Sequence, residues 1–127
     1  MKRAITTDKA PIPRGPYSQA IVTSGTMVYV AGQCPISLET QQFDLGTIEH
    51  ETRLVMDNLK AILEAAGTDM DHVVKTGIFL KDLADFGAMN AVYGTYFSAE
   101  PPARSTVQAE LLGGMKVEID CVAVLPE

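Results

Sequence analysis

With 127 residues, 46% of them hydrophobic, the chain fits one domain spanning 1–127 and carries enough apolar material for one compact core. A net charge of −6, with no basic cluster denser than Lys2-Arg3, excludes a generic polyanion binder, because phosphate contacts need clustered lysine and arginine. No apolar run approaches the roughly 18 residues of a membrane helix and no signal segment opens the chain, so a cytoplasmic protein without membrane or nucleic-acid partners is expected.

The chain opens on a short basic terminus, Lys2-Arg3, which is read as mobile. Thr7 to Pro16 holds three prolines, which remove backbone donors and predict an irregular lead-in. Tyr17 to Thr23 and Thr26 to Ala31 then read as two strands around Gly25, pairing as a hairpin. Gly32 follows, where a missing side chain lets the backbone approach a ligand. Pro35 to Gly46 is a polar loop.

The period then changes. Ile48, Thr52, Val55, Leu59, Ile62, Leu63 and Ala66 recur at helical spacing, and Gly67 suits the left-handed residue that ends a helix. Five turns are expected, with Glu49 and Glu51 as a solvated start. After a short turn at 69–72, Val73 to Leu80 is apolar on both faces, as a central strand should be. Phe86, Met89, Tyr93 and Phe97 mark one side of a second helix, with Asp85 as its N-cap and Pro101-Pro102 beyond its end. Arg104 to Leu111 and Met115 to Val124 predict two strands joined at Gly113-Gly114. The order β-β-α-β-α-β-β gives an α+β layer with two helices on one face of a mixed sheet. The opposite face has no helix left to cover it, and partner subunits are the expected cover.

The familiar catalytic patterns are missing. No phosphate loop or nucleophile elbow occurs. His50 and His72 are far apart beside acidic residues and read as exposed helix or turn positions. Cys34 and Cys121 lack metal or C-x-x-C spacing and read as reduced, packed thiols. No metal and no cofactor are expected. Tyr29, Phe79 and Phe97 are assigned to the core.

Strand alternation puts Arg104 and Thr106 on one side of their strand, and Glu118 and Asp120 on one side of the last. If the two strands pair, an arginine and a carboxylate converge on one face. The partner of Arg104 is then either an internal carboxylate or a bound carboxylate ligand gripped by the guanidinium fork. Spacing alone leaves both open.

From about Pro11 to Val124 the chain resembles the RidA/YjgF family of enamine/imine deaminases. The resemblance rests on Gly15-Pro16-Tyr17-Ser18-Gln19-Ala20, Ala31-Gly32-Gln33, Met56-Asp57-Asn58-Leu59, Val74-Lys75-Thr76, Phe79-Leu80-Lys81-Asp82-Leu83, Met89-Asn90-Ala91-Val92-Tyr93, Pro102-Ala103-Arg104-Ser105 and Val117-Glu118-Ile119. Any one piece is weak; their order and spacing together are specific. The resemblance implies a chorismate-mutase-like fold assembled as a homotrimer, with the sheets inside and a ligand cleft between neighbours. It implies cofactor-free hydrolysis of 2-aminoacrylate-type and 2-iminobutyrate-type acids to 2-keto acids and ammonia. Carried over, Arg104 clamps the substrate carboxylate, Glu118 manages the water, and Tyr17 lines the cleft from the neighbouring subunit. Gly32 and Asn90 match cleft or supporting positions. Thr106 stands where many relatives have cysteine, and can hydrogen-bond a ligand but cannot react as a thiol. Ala31 replaces a common serine, and the turn at Gly113-Gly114 is short for the family; both bear on substrate preference. The competing readings are a 2-keto-acid-binding regulatory trimer without turnover and, against the acidic charge, a ribonuclease acting as a translation inhibitor.

Overall fold

In the computed structural model, which describes residues 1–127, six strands and two helices follow in the order β1 (Lys2–Ile5), β2 (Ala20–Thr23), β3 (Met27–Gln33), α1 (Ile48–Ala65), β4 (Val73–Leu80), α2 (Phe86–Tyr93), β5 (Ala103–Gln108) and β6 (Val117–Val124). Four strands form one mixed sheet in the order β3-β6-β4-β5, and β1 and β2 form a separate antiparallel pair. Both helices lie on one sheet face, as the patterning predicts.

The long helix matches its sequence signal. Thr47 caps it by accepting from the His50 amide, and Gly67 takes φ 92 just past its end. Its buried stripe of Ile48, Val55, Met56, Leu59 and Leu63 meets Val30, Ile78, Val117, Ile119 and Cys121 from the sheet. The second helix ends at Tyr93 and runs on as a 3-10 turn over Gly94–Tyr96. Asp85 makes no capping hydrogen bond; Asp82 does, accepting from the Ala84 amide one turn earlier.

Three pairings differ from the sequence expectation. The terminal residues form a strand, β1, and it takes the place opposite β2 that Thr26 to Ala31 was expected to fill. Tyr17 to Gln19 stays irregular, so only Ala20–Thr23 of that segment is strand. Lys2 anchors the edge by donating through Nζ to the carbonyls of Asp71 and Glu100 at 2.8 and 2.7 Å. Second, β3 pairs with β6. Third, β5 and β6 are not a hairpin: β5 runs parallel to β4, and β6 lies on the other side of β4. The reason is the crossover. A strand–helix–strand connection makes β5 parallel to β4 at the sheet edge. The chain must then pass the end of β4 to reach the free antiparallel position. That passage is pinned where Ala109 N donates to Leu80 O and Lys81 N donates to Lys116 O, at 2.9 and 3.0 Å. Gly113 and Gly114 supply its left-handed backbone, at φ 64 and 77.

Glu51 holds this crossing in place. It is fully buried, contrary to its reading as a solvated residue. Its carboxylate accepts from the amides of Gly46 at 3.1 Å and Lys116 at 2.7 Å, and from Lys116 Nζ at 3.4 Å. Helical phase carries it inward: Glu51 shares a face with Ile48 and Val55.

The second sheet face is open. Tyr29, expected in the core, is 77% exposed there, and Phe79 is half-buried on the same side. Both alternate with core residues, Tyr29 between Val28 and Val30 and Phe79 between Ile78 and Leu80, so strand parity turns them away from the helices. Phe97 does pack on the core, its ring 4.9 Å from that of Tyr93. Of the cysteines, Cys121 is buried and Cys34 half-buried. His50 and His72 each face a carboxylate, Asp44 and Asp69.

Replacing Glu51 by alanine leaves the Gly46 and Lys116 amides without their acceptor, while the Lys116 ammonium keeps only the Gly46 carbonyl at 2.6 Å. A loss of roughly 3 kcal/mol is expected, read as a lower urea midpoint; a change under about 1 kcal/mol would remove Glu51 from this role. Burial also raises the Cys121 thiol from 9.0 and the Tyr93 hydroxyl from 10.0, each to about 12. For Tyr93 the Thr76 hydrogen bond and Arg104 oppose the shift. Both groups are neutral when protonated, so the folded state holds protons that the unfolded chain releases. Their contribution to stability is complete below about pH 9 and is lost as pH climbs toward 12. Within its window each group costs about 1.4 kcal/mol per pH unit. Urea midpoints measured from pH 7 to 11 should fall beyond pH 9, and in Cys121→Ala the fall between pH 9 and 10 should be shallower, the raised thiol of Cys34 alone remaining to titrate there among the cysteines.

Candidate functional site

Arg104 is the second residue of the edge strand β5, opposite Thr76 of β4. Its side chain turns to the helix side and ends half-buried against α2. Nη1 donates to Asn90 Oδ1 at 2.7 Å. The guanidinium carbon lies 5.1 Å from the ring centre of Tyr93, 5.3 Å from Tyr17 and 5.5 Å from Phe86. Phe86, Asn90 and Tyr93 are four and three residues apart, which puts them on one helix face. Tyr93 is itself set by the hydrogen bond it shares with Thr76, 2.8 Å long.

The Gly15-Pro16-Tyr17 loop closes the third side. Ser18 stitches it to the residues before β5: its amide donates to Pro102 O at 3.1 Å and its hydroxyl to Pro101 O at 2.5 Å. A β-carbon at Gly15 would sit in ordinary contact, 3.6 Å, with Arg104 Nη2, Asn90 Nδ2 and the Tyr17 ring, so the loop lies directly against the guanidinium. Tyr17 therefore belongs to the same chain as the arginine it flanks. Where the resemblance implies a Tyr17 lining the cleft from the neighbouring subunit, its ring here lies against the Arg104 of its own chain, held by the bonds from Ser18 to Pro101 and Pro102.

None of the four ion pairs of the chain includes Arg104. Burial pulls its pKa down, with Tyr93 and Tyr17 opposing. Guanidinium is nevertheless too basic to lose its proton in a protein. The charge stays, and its free donors face a hollow of about 260 Å³ lined by Tyr17, Phe86, Arg104 and Thr106. Thr106 Oγ1 is buried and has no hydrogen-bond partner. A cation and an orphan hydroxyl on one wall make a receptor for a small anion with a planar acid end.

Glu118 is elsewhere. It follows the alternation of β6, in which Val117, Ile119, Cys121 and Ala123 face the core, so Glu118 points to the open face, opposite Phe79. The expected convergence of Arg104 and Glu118 on one face therefore fails within a chain: β4 separates their strands, and their side chains leave the sheet on opposite sides. Glu118 packs instead on Gly32, where a β-carbon would collide with its Oε2 and lie 3.0 Å from its Cδ. With glycine at position 32 the carboxylate can lie directly against the backbone, at the irregularity between Val30 and Gln33 where β3 leaves its register with β6. Asp120, the neighbour of Glu118 on the same face, is occupied by the Gly77 amide at 3.0 Å.

The sequence-derived residues thus fall into two half-sites: Tyr17, Asn90, Arg104 and Thr106 on the helix side of β5, and Gly32 with Glu118 at the β3 edge. Phe86, Tyr93 and Gly15 were missed as parts of the first. The 86/90/93 spacing beside a match at Asn90 is the signal that marks two of them.

The family model described as Endoribonuclease L-PSP matches residues 7–125. Protein DfrA of Myxococcus xanthus is 49% identical over 97% of this chain and 95% of its own length. The 2-iminobutanoate/2-iminopropanoate deaminase of Mus musculus is 42% identical over 98% of this chain and 92% of its own. Among solved structures, E. coli TdcF with bound serine superimposes with a TM-score of 0.75 at 36% identity, covering 98% of this chain and 99% of that one. No helix of the chain is long and apolar enough to cross a membrane. Two helices on one face of a mixed sheet, an unpaired arginine at its edge, and likeness to these proteins over almost the whole length lead to one assignment: the chain belongs to the RidA/YjgF family.

Proposed function

We propose that the protein hydrolyses 2-imino acids, and the 2-enamino acids that tautomerise to them, to 2-keto acids and ammonia. The observation that carries this reading is the half-buried Arg104 with no carboxylate of its own. The name of the mouse relative supports the reaction class.

In this mechanism Arg104 grips the substrate carboxylate through its free N–H groups, and Thr106 supplies a further hydrogen bond. Glu118 takes a proton from water as its oxygen adds to the iminium carbon, giving a neutral carbinolamine. The same carboxyl returns the proton to nitrogen. The carbon–nitrogen bond then breaks, the hydroxyl proton departs, and the keto acid and ammonium remain. An iminium carbon is already electrophilic, so positioning and modest proton transfer suffice, and no cofactor is needed.

Arg104 and Glu118 leave opposite faces of one sheet, so a single molecule cannot apply both to one small substrate. The reading therefore requires that Arg104 of one copy meet Glu118 of the next. Two unlike edges, β5 and β3, would come together at each junction. Such head-to-tail contacts close into rings. A homotrimer with three shared clefts is the assembly proposed. It would also cover the open face bearing Tyr29.

Four measurements test this. Coupled to a threonine or serine dehydratase, the wild-type protein should speed keto-acid release. Arg104→Ala should lose at least about 100-fold in kcat/KM, the scale of a lost charged binding contact, with its assembly mass unchanged; an unaltered rate would refute the site. Glu118→Gln should retain keto-acid binding and lose turnover. Turnover unchanged in Glu118→Gln would remove Glu118 from the mechanism, and keto-acid binding with no hydrolysis above background even in wild type would favour the binding-only alternative. Finally, unfolding and refolding the two inactive variants together should restore activity at about one site in four, since only clefts drawing each group from the intact copy are complete. No recovery would place both groups in one chain's site.

A further inference from the structure

We infer that the shoulder between β3 and α1 is a side-chain pocket that sets the size of apolar substrate accepted. This rests on the deaminase reading and deepens it. A cavity of about 350 Å³ opens beside Gly32, walled by Cys34 and Leu38 on one side and by Asn58, Ala61 and Ile62 of α1 on the other. Gly32 is also the residue on which Glu118 packs, so one stretch of backbone at the sheet edge has the cavity on its α1 side and, on its other side, the carboxylate of Glu118. Its charge feels that proximity: the Cys34 thiol is raised by burial first and by Glu118 second.

The lining chemistry selects the occupant. No charged side chain reaches the cavity, and its polar groups are the neutral Gln33, Gln41 and Asn58. Asn58 spends its amide on the loop, donating Nδ2 to Ile36 O at 3.1 Å, which braces the outer wall against α1. Leu38 is 70% exposed and Ile62 38% exposed at the rim, so apolar surface waits uncovered. A carboxylate would gain nothing here; the unpaired cation at Arg104 takes that end. A neutral aliphatic group is what such a pocket desolvates favourably, at about 0.8 kcal/mol per methylene. The ligand implied has an acid at one end, a C=N carbon in the middle and a short aliphatic chain at the other end.

Ala61 is exposed on the helix surface, so a larger residue there can enter the cavity without disturbing the core. The test compares Ala61→Trp with wild type on imines generated by an amino-acid oxidase from alanine and from leucine. Expected is a loss of at least about tenfold in kcat/KM for the leucine-derived imine, two to three methylenes' worth, with less than a twofold change for the alanine-derived one. Ile62→Ala, which widens the rim, should shift preference the opposite way. Parallel losses on both substrates, or none, overturn the pocket. So does a drop in assembly mass in Ala61→Trp, which would make the cavity a contact between copies. Binding of 2-oxopropanoate and 4-methyl-2-oxopentanoate by calorimetry reads the same discrimination without turnover. If wild type binds both acids, Ala61→Trp loses only the larger, and no imine is hydrolysed, the reaction falls and the pocket stands.

Discussion

Removing half of a guanidinium from water without giving it a carboxylate sets the energetic problem around which this molecule is organised. The charge cannot be discarded by deprotonation, and desolvating an ion costs several kcal/mol. The chain offsets part of that cost locally. Three aromatic rings stand 5.1 to 5.5 Å from Arg104, close enough for cation–π attraction of about 0.5 to 2 kcal/mol each, depending on desolvation. Asn90 accepts one of five available N–H groups. The remaining donors are left facing a hollow beside the unsatisfied hydroxyl of Thr106. A structural ion pair would have closed this account inside the chain. Without one, the cation stays half-buried and unpaired within the chain, which is the feature the proposed carboxylate clamp rests on.

The placement of the cation follows from sheet topology. β5 arrives at the edge because the β4–α2–β5 crossover is parallel, and β6 must then cross to the far side of β4. That crossing needs the left-handed glycines 113 and 114 and the buried Glu51, which ties Lys116 and Gly46 to the first turn of α1. Strand parity does the rest. Arg104 emerges toward α2 and Glu118 toward the open face, where Gly32 makes room for it. The same topology leaves one whole sheet face without helices, with Tyr29 standing out of it. The uncovered face and the separation of Arg104 from Glu118 thus have a common origin in the strand order.

The α1 helix was legible because its period, its first-turn acids and its terminal glycine agreed, but periodicity by type counted Glu51 as solvent-facing. Its position in the helical phase, between Ile48 and Val55, was the better guide. Tyr29 and Phe79 were assigned inward on aromatic character, although strand alternation placed them outward. In each case geometry outweighed residue type, because a side chain's direction is dictated by the backbone it hangs from.

By itself the sequence determined the two helices, five of the six strands at least in part and the bare sheet face, and it nominated Tyr17, Gly32, Asn90, Arg104, Glu118 and Thr106 as candidates. These depend on short-range periodicity and on local motifs, which one chain segment carries alone. Only the tertiary structure decided that β1 and not β3 pairs with β2, that β6 inserts between β3 and β4, and that Arg104 and Glu118 part company across the sheet. Strand pairing joins segments far apart in sequence through backbone hydrogen bonds that every residue type can make. Which edge meets which is therefore settled by crossovers and packing, and residue identity carries little trace of it.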